Sequence, residues 1–242
     1  MPEVKPWYKR TWGVVILIVI GFVLLGSGLF ARQIIVFYGQ IKAGYKPPDF
    51  TVRRFSGSQL ALPPTTVDRD EVKRQVAGDD GEPFGGAVSG THQIVEFLDY
   101  DCPYSKSALP TIHDILRLRP DVKVIIRDFP LTDIHPDAEA IAIAARCVWR
   151  QGNASVYWKY HDLLFANQDK HDAASLKQYA YQAGVDSRYD TCVGAKPAAA
   201  LVQRSVLDAI NAGVSVTPTF FIDGIKVEGA ADTQTLLKLL EQ

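Results

Sequence analysis

The sequence predicts an α/β domain with an inserted block of helices, carried behind one N-terminal membrane-spanning helix. Three observations predict it. Residues 12–31 run for twenty positions without a charge. A buried-strand pattern at 92–98 passes through Cys102 and Pro103 into a helical pattern, and a second apolar strand follows at 122–126. Near the end of the chain, two apolar runs at 219–222 and 225–227 flank Asp223-Gly224.

At 242 residues the chain has room for one ordinary domain and an appendage. Its 26 basic and 27 acidic residues nearly cancel to a net charge of -1, which gives no electrostatic reason to expect a nucleic-acid partner.

Residues 1–11 carry Lys5, Lys9 and Arg10 against Glu3. A helix made of the uncharged run that follows spans about 30 Å, the thickness of a hydrocarbon core. The run is apolar on every face, whereas a helix of a soluble domain keeps a polar stripe. A cleaved leader has an apolar region of roughly 7 to 15 residues ending at a small-x-small site. This run is longer and ends in Gly28-Leu29-Phe30-Ala31-Arg32, so an uncleaved anchor in the lipid bilayer is expected. The leading basic residues put 1–11 in the cytoplasm and the rest outside, although Arg32, Lys42, Lys46, Arg53 and Arg54 reduce the charge asymmetry. Lys46-Pro47-Pro48 and Leu62-Pro63-Pro64 disfavour helix before them, so 32–78 reads as a juxtamembrane stalk or linker. Asp79-Asp80-Gly81-Glu82 and Gly85-Gly86 mark the entry to a folded domain at 79–242.

Within that domain, Pro103 suits the first turn of a helix, where its missing N–H costs nothing. Leu109, Ile112, Ile115, Leu116 and Leu118 continue with helical spacing up to Arg119-Pro120-Asp121. Helices are then expected at 137–150, 156–166, 175–183 and 198–212, with Gly152, Gly184 and Pro197 as breaks. Asp223-Gly224 between apolar runs signals a type I′ hairpin. Asp232 can cap a last helix carrying Leu236, Leu237, Leu239 and Leu240.

Cys102 is the residue with chemistry to offer. On the first turn of a helix its sulfur lies near unpaired backbone N–H groups and the positive end of the macrodipole, which favour the thiolate. Tyr104 and Ser105 are placed to hydrogen-bond or shield the sulfur, while Asp99 and Asp101 oppose a negative charge there. An isolated cysteine is ordinarily an inert small hydrophobe; the strand-to-helix setting favours a reactive one.

Six stretches then carry a resemblance. Ile94-Val95-Glu96-Phe97 precedes Asp101-Cys102-Pro103-Tyr104, Phe129-Pro130-Leu131 stands with His135-Pro136, Tyr160-His161-Asp162-Leu163-Leu164-Phe165 follows, and Gly213-Val214-Ser215-Val216-Thr217-Pro218-Thr219-Phe220-Phe221-Ile222 closes the set. In that order, over residues 79–242, they resemble the DsbA-like thiol:disulfide oxidoreductases. The resemblance implies a thioredoxin-like fold with a helical insertion at about 132–212, protein thiol and disulfide substrates, and no cofactor. It also implies that Cys102 is the attacking cysteine, tuned by Pro103 and Tyr104. Pro218 matches a proline that follows a cis peptide bond against the active-site sulfur, with Thr217 offering its backbone to an extended substrate. Glu96 matches a buried acid beneath the cysteine, a proton relay or an ordinary strand carboxylate.

The departure is Ser105, which stands where the family has its resolving cysteine. A dithiol enzyme clears its mixed disulfide with that second thiol. Three readings stay open: a monothiol oxidoreductase or isomerase released by an external thiol or a membrane redox partner, a redox-inactive binding or chaperone-like module, and a Cys-to-Ser trapping substitution in a dithiol enzyme. Cys147 and Cys192 both fall in the insertion, where some DsbA-like proteins carry a structural disulfide. Two separate buried thiols, or one of them acting as a remote resolving thiol, remain the alternatives. His92, His113, His135, His161 and His171 show no metal-ligand spacing with cysteines or acids, so no metal is expected.

Overall fold

The computed structural model describes residues 68–78 and 81–242. The expected cytoplasmic segment 1–11, the span at 12–31 and most of the stalk lie outside the described residues. Among the described residues no helix is long and apolar enough to cross a membrane.

The sheet is built on β2 (His92–Leu98), whose interior positions are buried on both faces. β3 (Val122–Asp128) runs parallel to it in the register Ile94↔Val124 and Glu96↔Ile126. The helix between them, α2 (Pro103–Leu118), starts at Pro103 and turns Ala108, Ile112 and Ile115 onto the sheet. On the other side of β2, β4 (Thr219–Ile222) and β5 (Ile225–Glu228) form an antiparallel hairpin. Asp223 and Gly224 at its tip have φ of 45° and 85°, the left-handed pair a type I′ turn requires. With β1 (Phe84–Gly86) antiparallel to β3, the strand order is β1-β3-β2-β4-β5.

Alternation along β2 divides the core. Ile94 and Leu98 face α2 together with α3 (Ala138–Gln151), α4 (Ala154–Ala166), α5 (Ala173–Ala183) and α8 (Thr233–Leu239), whereas Val95 and Phe97 face the opposite layer. That second layer contains α1 (Arg69–Ala77) and the end of α7 (Lys196–Asn211), which contribute Val76 and Ala209. The helices between β3 and β4 therefore wrap both faces of the sheet. A short α6 (Arg188–Val193) carries Cys192 to Cys147 of α3, where the two form a disulfide. Closing a loop of 45 residues restricts the unfolded chain by about 4 kcal/mol on a chain-entropy estimate.

Three elements differ from the expectation, and one is α6, since no helix is expected between 183 and 198. Residues 69–77, expected as the end of a stalk, form α1 and belong to the packed domain. Asp68 caps it by accepting the Asp70 N–H at 2.9 Å, Val76 is fully buried, and Arg127 donates to the Val76 carbonyl at 2.9 Å. Gly85-Gly86, expected only as a boundary, lies in β1. A Cβ at Gly85 would come within 2.6 Å of the Trp158 indole, so the strand is glycine-rich because a ring packs on it.

Buried charges tie these layers together. Arg146 of α3 donates to Asp128 at the end of β3 and to Glu82, while Arg127 pairs with Asp208 at 2.5 Å and bonds Ser205 at 3.1 Å. Burial pushes the Glu82 carboxyl up, and the two arginines pull it back.

Candidate active site around Cys102

Cys102 is the N-cap of α2, with φ of -75° and ψ of 121°, and Pro103 follows at the first helical position. An extended N-cap leading into a fixed-φ proline ends the strand–loop segment and starts the helix in one step. The turn before it is closed by Cys102 N–H donating to the Asp99 carbonyl at 3.1 Å, and the Cys102 carbonyl accepts the Lys106 N–H at 3.1 Å. Cys102 is 4% exposed, and its Sγ donates to the Thr217 carbonyl at 3.3 Å. The Thr217–Pro218 bond is cis. Thr217 itself is buried, and its hydroxyl has no hydrogen-bond partner among the described residues. The segment is anchored from both sides, by Thr219 Oγ1 donating to Val216 O at 2.7 Å and Gly229 N–H donating to Pro218 O at 2.8 Å.

Ser105, one helical turn on, is fully buried and accepts the Asp99 N–H at 3.4 Å. Its hydroxyl thus faces the loop, and neither it nor Tyr104 bonds the sulfur. Tyr104 is 47% exposed and stands on the surface beside the thiol, with Val216 also exposed next to Thr217. Cys102 is the free cysteine of the chain, since Cys147 and Cys192 are bonded to each other.

Glu96 lies on β2, six residues before the thiol, on the face that carries Ile94 and Leu98. Its register neighbours are Ile126 and Phe220. It is 2% exposed, has no hydrogen bond or ion pair among the described residues, and burial pushes its carboxyl up to about 8. A carboxyl so placed keeps its proton at neutral pH because the charged form has no water to solvate it.

The two aspartates that flank the active-site turn are tied up by partners. Asp99 accepts Asp101 N–H at 2.8 Å, Leu131 N–H at 2.9 Å and His135 Nδ1 at 2.8 Å. Asp101 meets His171 Nδ1 at 2.5 Å. Between them, Tyr100 buries its ring against Phe165 and His161, and its hydroxyl lies 2.9 Å from Tyr157 Oη and 3.0 Å from His161 Nδ1. Burial pushes the His161 imidazole down to about 3, so it stays neutral in this cluster. Sequence reasoning missed the roles of His135, Gln168 and His171 around this loop. Their partners are 36 to 70 residues away, with no local spacing to mark them. Among the described residues no group of three or more His, Cys, Asp or Glu side chains is arranged to hold a metal ion.

A thiol at a helix N-terminus facing the carbonyl before a cis-proline, on a central parallel strand pair with an added hairpin, defines a thioredoxin-type site. Residues 79–242 match the family model described as thioredoxin, and the chain belongs to that family. In structure it is similar to the thiol-disulfide exchange protein α-DsbA2 from Wolbachia pipientis, at 20% identity and a TM-score of 0.64 over 74% of this chain and 98% of the other. A periplasmic thioredoxin-like protein from Salmonella enterica serovar Typhimurium is 25% identical, with a TM-score of 0.58 over 73% of this chain and 97% of that one. In sequence, the Na(+)/H(+) antiporter NhaA 3 of Salinispora tropica is 32% identical over 174 residues, which are 72% of this chain and 24% of the antiporter. The chain thus spans about a quarter of the length of the curated relatives it matches.

Proposed function

We propose that the protein is an extracytoplasmic thiol:disulfide oxidoreductase or isomerase, anchored in the membrane by residues 12–31, that acts on protein thiols through Cys102 alone. The observation that carries this reading is the position of the Cys102 sulfur, at the start of a 16-residue helix and 3.3 Å from the Thr217 carbonyl. In the first step the Cys102 thiolate attacks one sulfur of a protein disulfide. A Cys102–substrate disulfide forms, and the other substrate sulfur leaves as a thiolate. Ser105 has no thiol with which to displace the substrate, so the second step needs a thiol from elsewhere. A second substrate cysteine gives isomerisation; an external small thiol or a membrane redox partner attacks the substrate sulfur and returns Cys102 as a thiolate.

Thr217 offers its backbone to an extended substrate segment, and exposed Tyr104 and Val216 flank it. Glu96 is suited to hold a proton beneath the site. The extracytoplasmic placement is supported by the Cys147–Cys192 disulfide, since such bonds persist in oxidising compartments, and by the periplasmic location of the Salmonella relative.

The low exposure of Cys102 favours a second reading, a redox-inactive binding module on the same fold. The rate at which Cys102 displaces the chromophore of a small aromatic disulfide at pH 6 separates the two. A reacting thiol is expected to be at least tenfold faster in the native chain than in the chain unfolded in guanidinium chloride. A native rate equal to or below the unfolded one sinks the oxidoreductase reading.

A further inference from the structure

The helical insertion grips the active-site loop through two polar side chains. Gln168, in the turn after α4, donates from Nε2 to the Tyr100 carbonyl at 2.8 Å and to the Cys102 carbonyl at 3.0 Å. Both hydrogens of the amide are thereby used on one three-residue stretch. Three residues on, His171 Nδ1 lies 2.5 Å from Asp101 Oδ1 and its Nε2 lies 3.0 Å from the Leu164 carbonyl. A carbonyl only accepts, so Nε2 is the donor to Leu164. Each of the three residues Tyr100, Asp101 and Cys102 is therefore held from the insertion.

The grip falls where it sets the direction of the thiol. The Cys102 carbonyl belongs to the peptide that joins the N-cap to Pro103, and it already accepts the first intrahelical bond from Lys106. Fixing that peptide plane fixes the Cα–Cβ direction of Cys102 against the Thr217 carbonyl. The His171 side chain is itself nearly buried, and both residues meet the loop through polar atoms. We propose that Gln168 and His171 are positioning residues for the Cys102 thiol, by which the insertion sets the geometry of the reacting sulfur; this rests on the reading of Cys102 as the reacting group.

The test uses the full chain with Gln168→Met, a near-isosteric side chain without donors, and the double variant Gln168→Met/His171→Leu. Asn153→Ala serves as the control for stability. It removes the cap that accepts the Val156 N–H at 3.1 Å in the same insertion and leaves the loop untouched. Two quantities are read: the rate of Cys102 with the small aromatic disulfide, and hydrogen exchange at the amides of Cys102 and Lys106. In Gln168→Met, exchange at these two amides is expected to rise at least tenfold while Ile126 keeps its protection. The Cys102 rate is expected to fall at least fivefold, and further in the double variant, with Asn153→Ala within twofold of the parent. Unchanged exchange at Cys102 and Lys106 overturns the grip. Faster exchange with a Cys102 rate within twofold of the parent overturns positioning. A parent rate no faster than that of the unfolded chain refutes the oxidoreductase reading instead, and the positioning role falls with it.

Discussion

Replacing Glu96 by glutamine should remove a pH dependence that the wild-type fold carries in its core. The carboxyl sits among apolar side chains with no ion pair, and burial raises it from 4.5 to about 8. Between those values the folded chain holds a proton that the unfolded chain has released. Stability is therefore greatest below pH 4.5 as far as this group is concerned, and it is lost as pH rises towards 8. At about 1.36 kcal/mol per unit, the interval from pH 5 to pH 8 accounts for at most roughly 3 to 4 kcal/mol. With a urea m-value of about 2 kcal/mol/M, that is a fall of at most about 2 M in the unfolding midpoint. Glutamine has the same shape and cannot ionise, so its profile lacks this component. The assay is urea unfolding of both chains with the disulfide intact at pH 5, 6.5 and 8, and the quantity read is the difference in midpoint between them. The difference should move in favour of the glutamine variant as pH rises. Parallel profiles over the whole range refute the assignment of Glu96 as an uncompensated buried acid.

Other perturbations have equally definite outcomes. Arg146→Met leaves the buried carboxylates of Asp128 and Glu82 without their common partner, and loss of one member of such a set costs about 3 to 5 kcal/mol. Because protonation relieves the stranded acids, the loss read by urea unfolding should be larger at pH 8 than at pH 5. Cys147→Ala/Cys192→Ala opens the 45-residue loop and should lower stability by up to about 4 kcal/mol in thermal or urea unfolding. The Cys102 rate with a small disulfide should stay within a few-fold of the parent at a temperature where the variant remains folded.

The central unit of the fold is legible because its signals are local. An apolar run ending at Leu98, Pro103 at a helix start and apolar spacing to Leu118 announce β2 and α2, and Asp223-Gly224 announces the hairpin by its conformational demand. α1 is illegible for the opposite reason. Five of its nine residues are charged, and only Val72, Val76 and the small Ala77 mark a buried side. Their burial depends on a sheet face assembled from residues far along the chain. At the site, Cys102, Thr217 and Pro218 stand in motifs that the resemblance locates. Gln168 and His171 do not, since they act on the backbone and carboxylate of residues some 66 to 70 positions away. Any polar residue in a turn after a helix looks solvated until the loop it reaches is placed beside it.

On the proposed reading Cys102 reacts, and Ser105 leaves it without a means of self-release. The decisive measurement follows the mixed disulfide between Cys102 and a peptide disulfide by intact mass, in the parent and in Ser105→Cys. In the parent the adduct should form at Cys102 and persist until a small thiol is added. In Ser105→Cys it should clear unaided, leaving a chain lighter by two hydrogens in which the Cys102 sulfur is joined to the sulfur introduced three residues on. A parent chain that forms no adduct, or one that sheds it as fast as Ser105→Cys without added thiol, rules out a single-cysteine mechanism at Cys102.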